Sequence, residues 1–288
     1  MVQTKTRYHL RVLCLLVFLA LPVLAQQSQN PSPLVEHTRA HPRLQQSTPR
    51  GRRFKVELGT LFIPAHLAHR RELPLLVHFH GDPWVAEVAA ARYGHAAVIT
   101  VQLGSGSSAY AKPFQDPGRF NLLLREAETA AKVRFSTITL SAWSAGYGAV
   151  RAILLVPENY ARIHRVILID GLHTDYPSGK PGPTESTVDP EPLQIFLRFA
   201  RDAVAGRKRM LVTHSEIFPG TFASTTETAD YLLEQLGLHR REVVRRGPMG
   251  TQQLSDVRRG GFHLLGFAGN SAPDHVDQLH SLAEYLRR

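Results

Sequence analysis

The sequence predicts a doubly wound α/β domain built on a mostly parallel sheet, and three observations predict it. Short, apolar, β-branched runs at 73–79, 96–102, 137–141, 165–169 and 209–213 alternate with stretches of helical period at 85–93, 120–133, 147–156, 193–205 and 226–236. Such runs suit strands covered on both faces, because a half-exposed strand would alternate polar with apolar residues. The alternation continues through most of the 288 residues without an internal repeat, which favours an open sheet with helices on both sides. Polar residues gather where the runs end, in His78-Phe-His-Gly-Asp82, Gln102-Leu-Gly104, Ser144, Asp170, His214-Ser-Glu216 and the loop before His275. Sites in open α/β sheets form at that carboxyl edge.

Residues 1–25 read as a secretory signal. Lys5, Arg7 and Arg11 give a basic start, Val12 to Leu24 an apolar run too short to span a bilayer, and Val23-Leu-Ala25 a small-residue cleavage site. The single cysteine, Cys14, lies inside this segment, so the mature chain has no disulfide and no thiol nucleophile. An exported, periplasmic or secreted, protein held together by its core is expected. Residues 26–49, rich in Gln, Ser and Pro, read as a flexible leader to a single domain over 50–288.

The formal charge is +10, of which the three basic residues of the signal account for three. Much of the excess is arginine, in Arg50-Gly-Arg-Arg53, Arg207-Lys-Arg209, Arg240-Arg241, Arg245-Arg246 and Arg258-Arg259. No aromatic residues interleave with these clusters, and an exported protein rarely meets nucleic acid. They read as solvated surface with weak attraction for anionic envelope components. The sequence assigns no nucleic-acid partner and no oligomeric state.

The first strand is expected over 54–62 and the last over 261–267, before a final helix over 276–286. Gly104-Ser-Gly-Ser-Ser108 lacks the lysine and helix start of a phosphate-cradling loop and reads as a mobile loop. Residues 174–192 carry five prolines and two glycines without apolar periodicity, the composition of a lid or binding loop across a site entrance.

Chemistry centres on Ser144. It stands where the strand 137–141 gives way to a helix, with Ala142 and Gly146 two positions away on either side. A serine on so sharp a turn needs small neighbours, and the following helix aims free N–H groups beside the hydroxyl. The segment resembles the nucleophile elbow of the alpha/beta-hydrolase superfamily, departing from G-x-S-x-G only in Ala142. The resemblance implies acyl transfer by Ser144, a base late in the chain and an acid between the two. His275, in Gly269-Asn-Ser-Ala-Pro-Asp-His275, is the expected base, with His280 a rival in the helix body. The acid is Asp170, directly after Val166-Ile-Leu-Ile169, or Glu216 one strand later; Asp170 has the stronger local case. The oxyanion hole is expected from the N–H groups of Ala145 and of Asp82 or Gly81, since Pro83 has none.

His78, His80 and Asp82 also resemble the His-x-His-x-Asp start of metallo-β-lactamase-like hydrolases. That motif requires a further histidine where Pro83 stands, so no metal and no cofactor is assigned. The expected function is serine-dependent hydrolysis of a small-molecule or acyl-ester substrate. A peptidase or acyltransferase would use the same groups, and a non-catalytic envelope-binding protein would keep the elbow without a working acid.

Overall fold

The structure is a computed structural model describing residues 40–182 and 187–288. The signal 1–25, most of the leader, Cys14 and residues 183–186 of the expected lid lie outside the described residues. The domain opens on an antiparallel hairpin, β1 (Gly51–Val56) and β2 (Gly59–Pro64). The sequence predicts one strand here because the alternation Phe54, Val56, Leu58 runs unbroken through the turn.

The strands β3 (Glu72–Phe79), β4 (Ala97–Val101), β5 (Arg134–Trp143), β6 (Ile163–Ile169) and β7 (Arg209–His214) follow. Then come β8 (Arg241–Arg246), β9 (Gln252–Arg259) and β10 (Phe262–Phe267). The sheet order is β1-β2-β4-β3-β5-β6-β7-β10-β9-β8. The central strands β4, β3, β5, β6, β7 and β10 run parallel, and antiparallel pairs finish both margins.

The helices are α1 (Pro83–Tyr93), α2 (Ser107–Ala111), α3 (Arg119–Ala131), α4 (Tyr147–Leu154) and α5 (Pro157–Arg162). They continue with α6 (Gln194–Val204), α7 (Thr225–Leu236), α8 (Ala272–His280) and α9 (Leu282–Leu286). Successive residues of β3 point to opposite faces. Leu75, Val77 and Phe79 enter one core with residues of α3, α4, α6 and α7. Leu76 enters the other, with Ala86, Ala89 and Ala90 of α1 and Leu282, Tyr285 and Leu286 of α9. Two covered faces explain why the central strands read as continuous apolar runs.

Four further differences from the sequence reading have local causes. The arginine-rich strands β8 and β9 were not expected, because a charged sheet margin carries no apolar run. Their arginines are cross-strand partners: Arg245 donates to Asp256 at 2.6 Å and to Gln253 at 3.1 Å, and Arg241 donates to Asp256 at 3.2 Å. A short helix, α2, begins at Ser107, where a mobile loop was expected. The final helix begins at Ala272, capped by Ser271 and Asp274, and divides at Ser281, whose hydroxyl donates back to the Asp277 carbonyl. The leader's last residues are docked on α8. His41 Nδ1 lies 2.7 Å from the buried Asp277 carboxylate, and Leu44 N–H donates to His280 Nδ1 at 3.1 Å.

Candidate active site

The register of the central strands brings the polar residues to one edge. Trp143 pairs with Ile169 and Ile169 with Thr213, so Ser144 and Asp170 are the next residues out on adjacent strands. Among the described residues, five non-glycine residues have positive φ, and three of them leave this edge: His80 (71°), Ser144 (48°) and Asp170 (41°). Left-handed backbone at a serine or histidine costs about 1 kcal/mol and persists only where surroundings fix it.

Ser144 sits between β5 and α4 in a turn that closes on both sides. A Cβ on Gly146 would lie 2.3 Å from the Phe79 carbonyl oxygen, and one on Gly171 would lie 2.5 Å from both N and O of Ser144. Only glycine fits either position. Ala142, at the other flank, is fully buried, so the turn accommodates its methyl group.

Asp170 is 1% exposed, and each of its oxygens takes two hydrogen bonds. Oδ1 accepts from the Ser215 N–H and the Thr225 hydroxyl, both at 2.8 Å. Oδ2 accepts from the Ser215 hydroxyl at 2.8 Å and from His275 Nδ1 at 2.7 Å. Burial pushes this carboxyl up, but the hydrogen bonds and charge of His275, together with Ser215, outweigh it and hold the group below the usual carboxylate range. A carboxylate at Nδ1 fixes the imidazole tautomer and leaves Nε2 as the free acceptor. His275 itself lies in the first turn of α8, not in the preceding loop, with its side chain 22% exposed.

Glu216 is exposed and does something else. Its Oε2 accepts from Gly269 N–H at 3.2 Å, while its own N–H donates to the Gly269 carbonyl at 2.8 Å, tying down the loop that leads to His275. His280 faces the leader and Trp84, away from this pair.

The turn after β3 is held by a network the sequence did not reveal. Gly81 N–H donates to Gln102 Oε1 at 3.0 Å, and Gln102 accepts from the Tyr110 hydroxyl at 2.9 Å. The Tyr110 hydroxyl also lies 2.8 Å from His80 Nδ1. With the Gly81 N–H so engaged, Asp82 is the remaining donor of the two considered. Ala145 follows Ser144 in a single 3-10 turn ahead of α4.

His78 and His80 have different partners. His78 is buried with Nδ1 3.1 Å from the Ser141 hydroxyl, and burial lowers its pKa to about 4. His80 stacks on Trp143 instead. Elsewhere His41, Asp274 and Asp277 bring three possible ligand atoms within 4.8 Å of one another. Their hydrogen bonds are structural: His41 holds Asp277, and Asp274 Oδ2 caps α8 through Ser271.

Sequence reasoning missed Thr225, Tyr110 and Trp143, and it marked Ser215 and Gln102 in the polar strand ends without giving either a role. The Ser224–Glu227 capping pair at the start of α7 was the one readable signal, since it places Thr225 in a first helical turn.

An elbow serine on the central sheet's carboxyl edge, followed in chain order by an acid and a histidine, is the alpha/beta-hydrolase arrangement that the motifs resemble. No family model and no curated protein matches the sequence. Among solved structures, the chain is similar to carboxylesterase CesB from Bacillus subtilis, at 9% identity over 84% of this chain and 91% of that one, with a TM-score of 0.45. It is also similar to the poly(3-hydroxybutyrate) depolymerase LpqC from Bordetella parapertussis, at 14% identity over 78% and 82%, with a TM-score of 0.44. A third is Est1E from Butyrivibrio proteoclasticus, at 11% identity over 82% and 97%, with a TM-score of 0.42.

Proposed function

We propose that the chain is an exported serine hydrolase that cleaves carboxylic esters through an acyl-enzyme on Ser144. In this reading His275 Nε2 takes the Ser144 proton as the hydroxyl oxygen attacks the ester carbonyl. Asp170 keeps the imidazole in the required tautomer and stabilises its charged form. The N–H groups of Ala145 and Asp82 receive the developing oxyanion. His275 then returns the proton to the leaving alkoxide, and a water activated the same way releases the acid and restores Ser144. The observation carrying the proposal is the fully hydrogen-bonded Asp170 carboxylate 2.7 Å from His275, on the strand beside a serine held at φ 48°.

Hydrolysis of p-nitrophenyl acyl esters of increasing chain length tests it. The mature chain is expected to turn over at least one of them, with an initial burst if deacylation is slow, and Ser144→Ala to turn over none. Equal cleavage of matched anilides would move the assignment to a peptidase, and ester cleavage surviving Ser144→Ala would overturn it. Export rests on residues 1–25. A mature N-terminus at Gln26 after secretion is the expected result, and retention of the whole chain in the cytoplasm would contradict it.

A further inference from the structure

Trp143, the residue before the serine, packs against two imidazoles. The ring of His275 lies against the indole, with centroids 4.5 Å apart and planes inclined by 31°. The ring of His80 stacks on Trp143 at 5.1 Å and 13°. The indole N–H is spent on the same histidine, since Nε1 donates to the backbone carbonyl of His275 at 3.0 Å. Trp143 is only half-buried, at the margin of the core that contains Ile169 and Leu76, so filling that core does not explain both contacts.

We infer that Trp143 is a positioning residue for the reaction proposed above: its N–H fixes the backbone of His275, and its ring face steadies that imidazole while it carries the proton from Ser144. The inference rests on the hydrolase reading and adds a residue to it. An indole face is the best aromatic partner for a cation within about 6 Å of its centroid. The geometry works only if the other imidazole packed on this ring stays neutral. Burial, then the charge of His275, lower the pKa of His80 and so favour its neutral form. The other groups facing His275 are the Asp170 carboxylate and, further out, His173 on the loop after β6, whose pKa is lowered first by burial.

Two measurements test this, one of them independent of catalysis. The first is the rate at which a fluorophosphonate modifies Ser144, followed against pH in wild type, Trp143→Phe and Trp143→Leu. Phenylalanine keeps a ring face without the donor, so a loss of about threefold with an unchanged acid-limb midpoint is expected. Leucine removes both; its plateau should fall about tenfold and its midpoint move about one pH unit lower, because the charged imidazole has lost a stabilising face. A Trp143→Leu protein with the wild-type plateau and midpoint overturns the inference. The second uses Trp84→Phe, which leaves Trp143 as the only tryptophan. Its emission should drop in a step as the neighbouring imidazole gains a proton, and His275→Asn should remove the step. A step indifferent to His275→Asn also overturns the inference. An unreactive wild type that keeps the His275-dependent step would overturn the hydrolase reading while supporting the pairing of Trp143 with His275.

Discussion

Asp170 and His275 stand 105 residues apart in the chain and meet at 2.7 Å, and the carboxylate's remaining bonds come from Ser215 and Thr225. Each oxygen is saturated, so the aspartate is rigid before any substrate arrives. That rigidity distinguishes it from Glu216, which reaches only Gly269.

Exchanging the two acids for their amides separates their roles. Asp170→Asn should slow phosphonylation of Ser144 by ~10⁴, because an amide can present its N–H to Nδ1 and invert the tautomer. Glu216→Gln should stay within a few-fold of wild type, since the amide oxygen still accepts from Gly269. Rates of fluorophosphonate labelling check both.

Backbone strain at the elbow predicts a trade between stability and activity. Ser144→Gly removes the Cβ from a residue at φ 48° and should stabilise the fold by about 0.5–1 kcal/mol in urea unfolding, with all labelling lost. Ser144→Ala keeps the Cβ, so it should lose labelling without that gain.

The second glycine of the site acts on the serine through the backbone. A methyl group at Gly171 would meet Ser144 N and O at 2.5 Å. Gly171→Ala should therefore cost about 1–3 kcal/mol and, by displacing the hydroxyl, roughly a hundredfold in labelling rate.

How far the sequence foretold this arrangement depends on what each residue answers to. The parallel strands were legible because burial on both faces demands continuous apolar runs, and polar run ends then marked the edge where Ser144 and Asp170 leave adjacent strands and Asp170 meets His275. β8 and β9 were not, because their stability comes from pairing at a charged margin: Arg241, Arg245 and His263 all converge on Asp256. The choice between Asp170 and Glu216 stayed open for a similar reason. Both follow strands, and only the three-dimensional path of the loop to α8 decides which carboxylate faces the imidazole. Trp143 gave no signal, because an aromatic residue at the end of a strand looks like core.

Stability should fall as pH falls, beginning well above the carboxylate range. Burial lowers His78 and His214 from 6.5 to about 4 each, with the charge of Arg240 adding to the effect at His214. Between those values the unfolded chain binds protons that the folded one refuses, so stability present above pH 6.5 drains away toward pH 4, by roughly 3 kcal/mol at most per histidine. Asp170, held below its ordinary range, adds a further loss below about pH 4, where the unfolded carboxyl protonates first. Urea unfolding between pH 7 and pH 4 measures the slope, which His78→Leu should flatten by about one proton.

The site of covalent modification tests the central claim most directly. The mature protein, treated with a fluorophosphonate and mapped by peptide mass, should carry one adduct, on Ser144, absent in Ser144→Ala and formed at least a thousandfold more slowly in His275→Ala. A folded protein that takes no adduct, takes it on another residue, or reacts as fast without His275 would contradict the account.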